Sequence, residues 1–104
     1  MANLSCIIFF QLVNLPGNID VKERVVVIFP RQVNEFMTTI NTQCRSIFEK
    51  HNIGSSDLHL KDTANCLTSQ DHILTAQDFV GNSIDKPVLV YILGNYYTYY
   101  AIHF

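Results

Sequence analysis

Cys44 and Cys66 are thiols that could act as nucleophiles, given a histidine elsewhere in the fold to take the proton. Cys44 falls on a stripe of apolar residues and reads as a core thiol, whereas Cys66 lies in a polar stretch with no context that marks it as reactive. His51, His59, His72 and His103 could ligate a metal, but none has a second His or Cys at the short spacings that zinc sites use. His51 sits where a helical pattern ends, and His59 on the polar side of a short alternating segment. Asp57, Asp62, Asp71, Asp78 and Asp85 could serve as acids or bases, yet each falls in a loop-like segment where turn-forming aspartate accounts for it. Four glycines in all leave no phosphate-cradling loop. The expectation is therefore no catalytic residue, no metal, no cofactor and no enzyme. The alternative is a small enzyme or cofactor-binding domain whose polar groups converge only in the fold.

The unusual cluster is Tyr96, Tyr97, Tyr99 and Tyr100, with Phe104. On a strand, Tyr96, Thr98 and Tyr100 share one face, and Tyr97, Tyr99 and Ala101 the other. Tyrosine joins a large contact area to a polar tip and is favoured at interfaces. No Lys or Pro guards residues 94–104 against edge pairing, so these five aromatics are the expected partner-binding residues. One face buried in the core and the other an ordinary sheet surface is the competing account.

The elements that must position these residues fit in one domain of 104 residues, 48% of them hydrophobic and only 15% charged. The low charge points to a protein partner or to a larger parent chain. A net charge of −2, with no run of like charges, supplies no basic face for nucleic acid. Three widely separated cysteines, an odd number, suit a reducing compartment, so an intracellular location is expected, cytoplasmic or nuclear. Residues 4–13 are apolar, but no Lys or Arg precedes Lys22, and the stretch is too short to span a bilayer. They read as a strand, and no membrane association is expected.

Residues 5–13 are apolar on both faces, as in a strand buried on both sides at its centre. Pro16-Gly17 has the chemistry of a type II turn, and residues 21–29 complete a hairpin. Pro30 ends that strand. Val33, Phe36, Met37, Ile40, Cys44, Ile47 and Phe48 recur at spacings of three and four, predicting an amphipathic helix of about 20 residues that Gly54 ends. Leu58-His59-Leu60-Lys61 reads as a short strand; Ile73 and Leu74 are expected to be buried; residues 88–93 form a strong strand after Pro87. Gly94-Asn95 is a hairpin signal, and residues 96–104 are strand-like.

The order strand, turn, strand, helix, short strand, irregular stretch, strand resembles the ubiquitin-like β-grasp. Leu58-His59-Leu60-Lys61-Asp62 looks like its third strand and following turn, Ile73-Leu74-Thr75-Ala76-Gln77-Asp78-Phe79 like the segment before its last strand, and Val88-Leu89-Val90-Tyr91-Ile92 like that last, central strand. Within that superfamily the chain most resembles the amino-terminal self-association domain of coilin-like scaffold proteins. The resemblance implies an α+β fold, a β-grasp-like mixed sheet packed on one long helix, and a single ubiquitin-like domain over residues 1–104. Residues 94–104 depart from the pattern, because the last β-grasp strand has neighbours on both sides; they are expected to be an extra edge or exchanged strand. The expected function is a protein–protein interaction module for self-association or scaffold assembly, acting as a homodimer or homo-oligomer through a sheet edge or tyrosine-rich face.

Overall fold

The computed structural model describes residues 3–17, 19–60 and 71–92. Strand β1 (Leu4–Val13) and strand β2 (Val21–Phe29) form the expected antiparallel hairpin, in a register that runs from Leu4 opposite Phe29 to Leu12 opposite Val21. Gly17 has φ of +82°, the conformation that the third position of a type II turn requires and that glycine adopts without steric cost. β2 stops at Phe29 before Pro30, and the peptide joining them is cis. A two-residue strand β3 (Arg31–Gln32) then precedes helix α1 (Val33–Gln43).

The helical stripe is as expected, but the helix is broken. Cys44, at φ −110° and ψ 30°, separates α1 from α2 (Arg45–Lys50). No Pro or Gly lies there. Instead three threonine hydroxyls donate to helix carbonyls one turn back, Thr38 to Asn34, Thr39 to Glu35 and Thr42 to Thr38, each at 3.0 Å. Such back-bonding competes for the carbonyls and bends helices. Across the break Ile47 N–H bonds to Cys44 O at 3.0 Å, a tighter turn than an α-helix makes.

The helix also ends earlier than Gly54. Asn52 takes φ of +56°, its N–H donates to Glu49 O at 3.2 Å, and Ile53 N–H donates to Phe48 O at 2.8 Å. That pair of bonds is a Schellman ending with asparagine in the glycine position. Gly54 instead begins the next turn, where its N–H donates to Asp57 Oδ2 at 2.9 Å.

Strand β4 (Leu58–Leu60), strand β5 (Ile73–Leu74) and strand β6 (Val88–Ile92) complete the fold. The main sheet has the order β2-β1-β6-β4; β6 runs parallel to β1 and antiparallel to β4. A separate ribbon pairs β3 with β5. The class is α+β, a mixed four-stranded sheet packed on a helical layer, and the last described strand lies between two others.

One face of the sheet meets the helices. Ile8, Phe10 and Leu12 of β1, Val25, Val27 and Phe29 of β2, Val90 and Ile92 of β6, and Leu58 and Leu60 of β4 are buried against Val33, Phe36, Met37, Ile40, Cys44 and Phe48. Phe79, on a 3₁₀ turn after β5, links the two layers: its ring lies 5.3 Å from that of Phe29 and 5.6 Å from that of Phe36.

Two burial expectations are corrected. β1 is flanked by strands on both sides but buried on one face only, because the single helical layer covers one face; Ile7, pointing away from it, is 54% exposed. In the ribbon, Leu74 is buried while Ile73 is exposed, since adjacent strand residues face opposite ways.

Candidate functional site

The residues that could do chemistry are kept apart by the fold. Cys44 is buried in the helical stripe, where burial, and then the negative charge of Glu23, push its thiol up to about 11. A thiol held protonated in the core is not a nucleophile. Cys6 is half-buried against the core, and both it and Cys44 are unpaired. Cys66 and His103 lie outside the described residues.

His72 is exposed and contributes its carbonyl, which accepts Val33 N–H at 2.9 Å. His59 stands opposite Tyr91 on the face of the sheet away from the helices. His51 is half-buried at the end of α2 with Nε2 enclosed and unpartnered among the described residues. Among the described residues no group of three or more His, Cys, Asp or Glu could hold a metal. Asp57 and Asp78 are turn formers: Asp78 Oδ2 accepts Thr75 N–H at 2.8 Å, as Asp57 accepts Gly54 N–H.

What the fold does assemble is surface for docking. β2 is nine residues long and has one strand partner, β1, among the described residues. β4, at the opposite edge, is three residues long. The first half of β2 carries exposed Lys22, Glu23 and Arg24, charges that discourage edge pairing. The second half, Val25 to Phe29, has no charged side chain of its own, and the Arg31 guanidinium donates from Nε to Ile28 O at 3.1 Å near its end. Its outward residues Val26 and Ile28 are 60% and 43% exposed. Val26 lies opposite Ile7, so the patch continues onto β1.

On the helix side of the same strand runs an open groove of about 530 Å³, lined by Val25, Val26, Thr38, Thr39, Thr42 and Gln43. The three threonine hydroxyls are bonded to α1 carbonyls. The groove wall is therefore less polar than its composition implies. A second hollow of about 370 Å³, under Ile84 and Pro87, adjoins the charged half of β2.

Comparison with protein-family models, curated proteins and solved structures found no match.

The five aromatics expected to bind a partner, Tyr96, Tyr97, Tyr99, Tyr100 and Phe104, lie outside the described residues. The residues that sequence reasoning missed are Val26, Ile28 and Ile7. A signal for them existed: Val25-Val26-Val27-Ile28-Phe29 is apolar without alternation, and a chain with one amphipathic helix has too little cover for both faces of such a strand.

Proposed function

We propose that this domain is an intracellular protein–protein interaction module that self-associates, or assembles scaffolds, by adding a strand to the β2 edge. The observation that carries this reading is the long β2 edge, half of it uncharged, with apolar exposed surface on its outer side and a threonine-walled groove on its helix side. Strand addition of this kind draws affinity from backbone hydrogen bonds and specificity from side chains on either face. The strand order β2-β1-β6-β4, with β1 and β6 parallel, supports the ubiquitin-like reading of the fold. Unpaired Cys6 and Cys44 support a reducing compartment. Among the described residues no helix is long and apolar enough to cross a membrane.

The test is the mass of the full chain in solution across a concentration series. A rise from monomer to dimer or larger, abolished by Val26→Lys with Ile28→Lys, is the expected result. A chain that stays monomeric to high micromolar concentration overturns the self-associating form of the proposal.

A further inference from the structure

We infer that the occupant of the β2 edge is the segment 96–104 of a second copy of this chain, each copy laying its tail along the other's β2. The inference rests on the interaction reading and goes further by naming the strand that is added.

A strand added beside β2 has one face towards Val26 and Ile28 and the other over the groove between β2 and α1. Between the charges at Lys22 to Arg24 and the Arg31 guanidinium, which donates to Ile28 O at 3.1 Å, the residues that line both surfaces are uncharged. A matching strand needs large, uncharged side chains on both faces. Residues 94–104 contain no Asp, Glu, Lys or Arg, and their tyrosines fall on both faces of a strand.

β6 ends at Ile92 in the interior of the sheet, with β1 on one side and β4 on the other. β1 pairs with Val88 to Tyr91 and β4 with Val90 to Ile92, so at Val90 and Tyr91 both edges of β6 are taken and offer no place for a hairpin partner. Tyr91 lies opposite Val13, so the tail leaves at the end of the sheet where the β1–β2 loop also stands.

Ile92 and Tyr96 are four residue steps apart, about 14 Å at full stretch. A strand outside β2 lies three strand spacings from β6, also about 14 Å. The tail of the same copy would have to run taut and straight past the β1–β2 loop to place all of residues 96–104 on its own β2. A second copy meets no such limit.

Complementation between two full-length variants tests the exchange. One variant has the edge altered, Val26→Lys with Thr42→Lys, at two exposed positions that leave the core intact. The other has the tail altered, Tyr97→Ser with Tyr99→Ser. Matching circular dichroism and urea midpoints establish that both are folded.

Exchange predicts that the wild type dimerises and that each variant alone associates at least about tenfold more weakly. It also predicts that an equimolar mixture forms a heterodimer, through the intact tail of the first and the intact edge of the second. A tail variant that still dimerises indicates edge-to-edge pairing, and an edge variant that still dimerises indicates tail-to-tail pairing. Either result overturns the exchange and leaves the interaction module standing. A mixture that remains monomeric also overturns the exchange, and a monomeric wild type overturns both proposals.

Discussion

The side-chain amide of Asn82 is paired at two points with the backbone of Phe9: Phe9 N–H donates to Asn82 Oδ1 and Asn82 Nδ2 donates to Phe9 O, both at 2.8 Å. Phe9 lies one residue before Phe10, where the pairing of β1 with β6 begins opposite Val88. The amide thus acts as one more rung of the ladder, supplied by a side chain. It leaves no open backbone at Phe9 on that side, and it ties the loop before β6 to the central strand.

Replacing Asn82 by alanine strands both groups of Phe9, and the expected loss is about 2 kcal/mol of unfolding free energy. Asn82→Asp keeps the shape but sets an ionised oxygen against the Phe9 carbonyl. It should cost more than alanine at neutral pH, and the difference should shrink below about pH 4, where the acid regains a donor. Urea unfolding at both pH values measures this.

Asn52 holds the left-handed position that closes α2. Asn52→Gly should leave stability unchanged or raise it by a few tenths of a kcal/mol, and Asn52→Val should lower it by about 2 kcal/mol. If Gly54 were the stop, neither change would register; thermal melts of the two variants discriminate.

Phe79 joins sheet to helix through Phe29 and Phe36. Phe79→Ala should cost about 3 kcal/mol, and Phe79→Leu much less, because the loss is in filled volume. The measurement is the shift in denaturant midpoint at constant slope.

The Cys44 thiol is raised from 9.0 to about 11, by burial first and Glu23 second. Unfolded chain therefore releases this proton from pH 9 upward, while folded chain keeps it until about 11. The contribution of the neutral thiol is complete below pH 9 and is lost between pH 9 and 11. Stability of the wild type should fall through that window more steeply than that of Cys44→Ala. A thiol reagent at pH 8 should modify Cys44 only as fast as the protein unfolds.

Much of the architecture was legible from local pattern. Spacings of three and four from Val33 to Phe48 located the helical layer, and Pro16-Gly17 located the first hairpin, because amphipathic period and turn chemistry are properties of neighbouring residues. The break at Cys44 was not legible, since it depends on which way three threonine hydroxyls turn. Local sequence points to Gly54 as the helix stop because glycine is the commoner left-handed residue, whereas in the fold Asn52 takes that conformation two residues earlier. The β2 edge was hidden for a different reason. Its local sequence reads as an ordinary buried strand, and only the sheet order, set by contacts between distant residues, makes it an edge.

The parallel pairing of β1 with β6 also has a consequence for how the chain is made. The strand at the start of the described chain waits for the strand at its end before the sheet is complete. During synthesis the β1–β2 hairpin can form early, but its open flank stays uncovered until residues 82–92 have left the ribosome. A growing chain halted short of that point would offer a sticky strand to its neighbours. Completion of the sheet thus waits on residues 82–92, and until they emerge the open flank of β1 is exposed to mispairing.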